Sequence, residues 1–449
     1  MPSDTDERSV TFIKSDDEYQ RYPEFVNYVF IPEYSRLYSS SDTQQVALDS
    51  SQIIDASGAY IDKPYKTKFS LDLVDSQFGY NTFYGVQGQA TFLFSDVMGD
   101  HQVYLGTDLY IDLNNSDFAL AYYYLRYRPN FGFVLVNQSD NYATYIPGEV
   151  SETNPYGFFV TRYTNRSFHL VTEYPINRHY RFEFNNSYYY VKRDLLDDPE
   201  IAERYDEDIH QYRTEFAFVK DNTVFSYTGP MDGSRYRLSL DISPGITSKT
   251  PVFYTTKLDY RHYFKITDQY HLAFRFHGGR SFGPNPQIFL LGGISNWINY
   301  VYNQNAPILG GSSDSFSEQL SMYYLSEYIM PVRGAMMFQT WGDKFMLFNA
   351  ELRFPFIEYA KLGLPPISFF QVRGVLFADA GVAWSDQLQL LESGKWWPFG
   401  NRWEDMIGSV GMGIRIYLGF ALLRIDLAWE YNGMGFSQPR WLWSLGGDL

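Results

Sequence analysis

The chain has 449 residues, a formal charge of −16, and a composition that is 45% hydrophobic, 20% charged and 19% aromatic. That balance excludes a disordered or collagenous chain, and the negative charge argues against nucleic-acid binding, which depends on neutralising phosphates. Cys is absent, which excludes disulfide frameworks, thiolate zinc sites and cysteine nucleophiles.

Residues 1–66 come first and show no sustained period. SDDEYQRYPEF and SSSDTQQVALDSSQ are polar and rich in Ser and Asp, as expected of a periplasmic N-terminal segment, partly irregular. The opening MPSDTDERSV lacks the basic and apolar regions of a secretory signal, so either a signal was removed or the protein stays inside the cell. No run reaches the roughly 18 apolar residues that a spanning helix requires.

From residue 67 onward the dominant signal is alternation. In YRFEFNNSYYY, Tyr180, Phe182, Phe184, Tyr188 and Tyr190 oppose Arg181, Glu183, Asn185 and Ser187. In 252–265, Leu258, Tyr260 and Phe264 oppose Lys257, Asp259 and Arg261, and in 420–431 Leu423, Ile425 and Leu427 oppose Arg424 and Asp426. A period of two puts each set on its own face of a strand. Strands are predicted near 67–75, 84–96, 101–112, 118–127, 131–146, 156–174, 178–192, 208–228, 234–243, 252–265, 270–280, 344–355, 369–384, 406–417, 420–431 and 440–446, sixteen in all.

A soluble sandwich also alternates. Two features favour a membrane barrel instead: stretches of about 10 residues or more, enough for a tilted strand to cross hydrocarbon, and aromatic residues near the ends of the apolar faces. The even strand number fits, and the connections alternate. MGDH, RPN, PIN, TDQ and YLG are short, with GPMDGS and 356–368 as longer members of that set, while 193–207, 281–343, 385–405 and 432–439 form the long outward set. The expected fold is therefore an all-β, 16-stranded antiparallel transmembrane β-barrel over 67–449, with 1–66 as a separate lead-in.

Ordered motifs then stand out. RSFGPNPQIFLLGGISNWINY, MPVRGAMM, FNAELRFPF, VLFADAGVAW and GSVGMGIRIYLGFALLRIDLAW follow one another, and together the set resembles the BamA/TamA-like outer-membrane assembly barrels of the bacterial surface antigen superfamily. GGISNWINY, MPVRG and the closing WLWSLGGDL look most like members in which a Tol-like propeller precedes the barrel. No propeller or POTRA module fits the 66 leading residues, and the chain ends in Leu449 where such barrels usually end in an aromatic.

The resemblance implies an outer-membrane location among lipids and lipopolysaccharide. It also implies unfolded outer-membrane clients, periplasmic or lipoprotein partners, and no cofactor. It further implies that loop 281–343 folds into the lumen, where Arg333 and Gly334 of MPVRG meet Glu351 and Asp379 on the facing wall. Parity independently turns both carboxylates inward. Glu351 shares a face with Asn349 and Arg353, and Asp379 shares one with Arg373. A guanidinium fork suits such a pair, although each charge facing lumenal water is the plainer reading. In the family the seam between first and last strands can open; the seam-strand residues here are Phe69 and Leu71 of the first and Leu442 and Trp443 of the last.

Enzymatic signals are weak. The glycines of GSVGMG and FADAG lie in strands without a following helix or Lys, so a phosphate cradle is a poor reading. The seven His show no close ligand spacing and no G-x-S-x-G elbow occurs, so neither a metal site nor an enzyme is expected. Three functions remain open: an assembly or translocation barrel, a passive pore or anchor, and a soluble all-β binding protein.

Overall fold

A computed structural model of the chain describes residues 65–446 apart from 82–84, 109–116, 146–156, 227–228, 248–249, 304–305, 307–325, 362, 364–367, 392–394, 396–397 and 419–421. The lead-in expected over 1–66 falls almost wholly outside the described residues.

Sixteen strands form one antiparallel sheet. They are β1 (Phe69–Asn81), β2 (Gly85–Asp96), β3 (His101–Asp108), β4 (Asp117–Tyr124), β5 (Asn130–Tyr145), β6 (Phe158–Pro175), β7 (Tyr180–Leu195), β8 (Glu207–Asp221), β10 (Gly229–Ser243), β11 (Phe253–Lys265), β12 (His271–Phe282), β16 (Lys344–Lys361), β17 (Ser368–Trp384), β18 (Met406–Tyr417), β19 (Leu422–Tyr431) and β20 (Arg440–Leu445). Each is laddered to the next member of this series. β9 (Val224–Ser226) is a short strip on β10. β13 (Phe289–Leu291), β14 (Glu327–Ile329) and β15 (Thr340–Gly342) make a separate small sheet. No ladder joins β1 to β20 among the described residues.

Burial along the sheet runs opposite to that of a water-soluble fold. On β12 the inward positions His271, Ala273, Arg275 and His277 are all buried, whereas Phe276 on the other face is exposed. The same holds around the sheet: Phe182 is 53% exposed, Leu238 52% and Met412 50%, while Asp241, Arg415 and Asp426 are buried. Exposed apolar surface of that extent needs a non-aqueous solvent. The polar face is screened because it curls around a lumen. This is the inversion that a membrane barrel requires, and a soluble sandwich would show the reverse.

Several boundaries depart from the sequence reading, each for a local reason. GPMDGS, expected as a turn, lies inside β10, because Gly229, Pro230 and Asp232 pair with Ser226, Phe225 and Val224 of β9. Most of 356–368 is strand, since β16 continues to Lys361 and β17 starts at Ser368. β1 has 13 residues and is not the short strand read at 67–75. Within the expected loop 193–207 sits a helix, α1 (Pro199–Tyr205). Its cap Asp198 accepts from the backbone N–H groups of Glu200 and Ile201 at 2.9 and 3.2 Å, and Pro199 opens the first turn.

Candidate functional site

The described parts of loop 281–343 fill one side of the lumen. β13 is the middle strand of the small sheet, parallel to β14 and antiparallel to β15, so its backbone groups are met on both edges. Its side chains are free to face the wall. Phe289 and Leu291 pack with Ile329, Val332 and Ala335 of the loop and with Phe345, Leu347, Ala383 and Ile407 of the barrel. Leu290, Ile294, Trp297, Met337 and Phe338 pack with Val375, Phe377, Ala428 and Leu442. Gly381 makes room for this contact: a Cβ there would lie 3.1 Å from the Leu291 side chain.

Between those apolar patches lies Arg333, 3% exposed. Its Nε and Nη2 donate to Oδ2 and Oδ1 of Asp379 at 2.8 and 2.7 Å, a bidentate fork, and Nη1 donates to Glu351 Oε1 at 2.5 Å. Its own backbone N–H donates to Asp379 Oδ2 at 2.9 Å. The guanidinium carbon stands 3.8 Å from the centre of the Phe377 ring, so its flat face is covered too. The second oxygen of Glu351 accepts from Arg353 Nε and Nη2 at 2.9 and 2.7 Å. Asn349 donates to Asp379 Oδ1 at 2.8 Å.

Burial works against the charge on Arg333, yet Asp379 and Glu351 hold its pKa well above the ordinary value. These charges are out of water, paired, and hydrogen-bonded on almost every side, the condition under which a buried ion pair persists.

The loop backbone is held as well. Met330 C=O accepts from Arg275 of β12 at 2.6 Å, Pro331 C=O from Asn349 of β16 at 2.8 Å, and Gly334 C=O from Arg440 of β20 at 2.8 Å. Gly334 has φ +89°, and a Cβ there would lie 3.2 Å from that of Ala428, so both conformation and space call for glycine. Lys257 of β11 reaches Glu327 at 2.6 Å. Wall strands β11, β12, β16, β17 and β20 thus all grip the loop. Beside Arg333 remains a cavity of about 430 Å³ lined by Arg261, Arg275, Arg415, Arg424 and Asp426, among others.

At the short-turn end, the start of β10 closes over the lumen. Arg353 Nη1 donates to Pro230 C=O at 2.7 Å, and the His271 ring N–H donates to Met231 C=O at 3.1 Å. Sequence reasoning missed these contacts, which join residues 123 and 40 positions apart, as it missed the small inner sheet. Of the seam residues, Phe69 and Leu71 of β1 and Trp443 of β20 are exposed on the apolar face, whereas Leu442 is buried among loop side chains.

An antiparallel membrane barrel with a long loop seated in its lumen defines a recognisable class of outer-membrane protein. The Omp85 superfamily domain matches residues 65–448, and the chain belongs to that superfamily. The family places the barrel in the bacterial outer membrane, and its barrels are typically non-enzymatic. The fold is also similar to the crystal structure of BamA from Haemophilus ducreyi lacking POTRA domains 1–3, with a TM-score of 0.51 and 13% identity over 89% of this chain and 76% of that one. A second likeness is to CdiB from Escherichia coli, with a TM-score of 0.45 and 10% identity over 86% of this chain and 63% of that one. A comparison with curated proteins gave no match.

Proposed function

We propose that this barrel assists the insertion of outer-membrane proteins or the passage of polypeptides, with its lumen held shut by loop 281–343 through Arg333, Glu351 and Asp379. The observation that carries the lock is the bidentate Arg333–Asp379 pair, which ties the loop to the wall with both partners out of water. Two apolar patches on either side of it keep water from competing for the fork. Family membership supports the handling of unfolded polypeptide clients, and the surrounding lipids and lipopolysaccharide are its other partners. The work is mechanical: pairing, opening and release, with no covalent step and no cofactor.

Two measurements test this reading. In planar bilayers the purified protein should be nearly closed, and Arg333→Ala should widen it; a large stable current through the unaltered protein would contradict the lock. In liposomes, the barrel should accelerate folding of a urea-denatured eight-stranded outer-membrane protein, followed by its heat-modifiable mobility. The same folding rate in protein-free liposomes would overturn the assembly role.

A further inference from the structure

The outer edge of β20 is already occupied, and by a segment of the chain's own loop. β20 pairs with β19 along one edge, from Leu423↔Leu445 to Ala428↔Arg440. Along the other, Ile298 N–H donates to Trp443 C=O at 2.7 Å and Leu445 N–H donates to Asn296 C=O at 3.4 Å, around an antiparallel bridge between Trp297 and Ser444. Asn299 then extends the imitation with its side chain. Its Oδ1 accepts from Trp443 N–H at 3.0 Å and its Nδ2 donates to Trp441 C=O at 2.7 Å. A carboxamide has the donor and acceptor of a peptide group, so it serves the edge as one more residue of strand.

The segment is also anchored. Trp297 is buried among Leu290, Ile294 and Leu442, and its Nε1 donates to Asn299 Oδ1 at 2.9 Å, which orients the carboxamide. Arg424 clamps the two sides together, donating to Ser295 C=O at 2.8 Å and to Ser444 Oγ at 2.9 Å.

We propose that Asn296–Asn299 is a strand surrogate seated in a docking site for an extended chain, and that the strand it keeps out is the chain's own β1. In a series of sixteen alternating strands β1 lies antiparallel to β20, the direction the surrogate imitates. β1 is 13 residues long against six for β20, pairs with β2, and has no ladder to β20 among the described residues. The Trp443 N–H and C=O cannot serve both partners in ladder geometry. Seam closure and the seating of 296–299 are therefore alternative states of one edge, so release of the loop frees the edge for β1. This inference stands apart from whether the barrel handles clients.

The absence of Cys makes the test clean. Ile298→Cys with Trp443→Cys places two half-exposed positions opposite each other on the surrogate ladder, within disulfide reach. Trp443→Cys combined in turn with Phe69→Cys, Leu71→Cys or Leu73→Cys steps along the exposed apolar side of β1. The 298–443 disulfide should form in the purified barrel in liposomes. Adding Asn299→Ala, at an exposed position, should keep heat-modifiable mobility while moving the ratio of surrogate to β1 crosslinks about tenfold toward β1, as the loss of its two hydrogen bonds to the β20 edge implies. Failure of 298–443 to crosslink would overturn the proposal. So would an Asn299→Ala protein in which the β1 crosslinks do not rise.

Discussion

The two sides of the lumen solve the same problem differently. Around β5–β8, Glu183, Asn185, Ser187, Arg213 and Glu215 border an open cavity of about 420 Å³ that Val134, Val136 and Val171 also line, and charges there meet partners on β10: Glu215 meets Arg237 and Arg213 meets Asp241. Around β16–β20 the inward face carries large apolar side chains, Phe345, Leu347, Val375, Phe377, Ala428 and Leu442, and the Arg333 contact with Glu351 and Asp379 among them is made with the loop. An extended stretch of large apolar side chains on a lumenal wall calls for a dry cover. The loss of alternation in 375–384 is thus the footprint of the loop, and the polar wall marks where water remains.

The comparison breaks first at Asp379. Asp379→Ala leaves Arg333 with Glu351 alone and removes the fork, and breaking one partner of a buried pair costs about 3–5 kcal/mol. The loop should then be cleaved by protease at urea concentrations where the unaltered protein resists, while the barrel keeps its heat-modifiable mobility. A loop as resistant as before would show that the ion pair does not hold it.

The apolar half of the docking comes next. Leu291 is fully buried against the Gly381 gap, and Leu291→Ala should weaken the seat by about 3 kcal/mol, in the middle of the range for a buried leucine. The same protease titration reads it. An effect under about 1 kcal/mol would mean that the cavity collapses and that packing contributes little there.

The strands and their outward faces are legible in the sequence because alternation is local: Phe182, Leu258 and Ile425 declare their face within a few residues. The inward parity of Glu351 and Asp379 is legible for the same reason. What they meet is not. Arg333 lies 46 positions before Asp379 on a loop without a period, and only the ordered family motifs point to the contact. The inner sheet of β13, β14 and β15 stays hidden because three-residue strands are too short to show a period. Two signals were available and unread. DDPEI carries the cap and proline of α1, and the doubly apolar faces of 345–347 and 375–377 announce a covered wall.

Arg333→Lys sharpens the ionic side of the contrast. Lysine keeps the charge and loses the planar fork and the stacking on Phe377, so the seat should weaken by about 2 kcal/mol, less than for Asp379→Ala. Conductance should rise in brief openings and not as a steady current. If lysine matched arginine in both assays, geometry would be irrelevant and charge alone would hold the loop.

The smallest effect belongs on the polar wall. Glu215 meets Arg237 Nη2 at 2.8 Å and Asn185 Nδ2 at 3.0 Å, much as Glu351 meets its partners, but it borders the open cavity and its side chain is 21% exposed. Water there can replace what a substitution removes. Glu215→Gln should therefore change stability by no more than about 1 kcal/mol and leave the protease resistance of the loop unaltered. A loss approaching that of Asp379→Ala would show that the two walls are one coupled network, and that the loop is held by the whole lumen and not by the dry side alone.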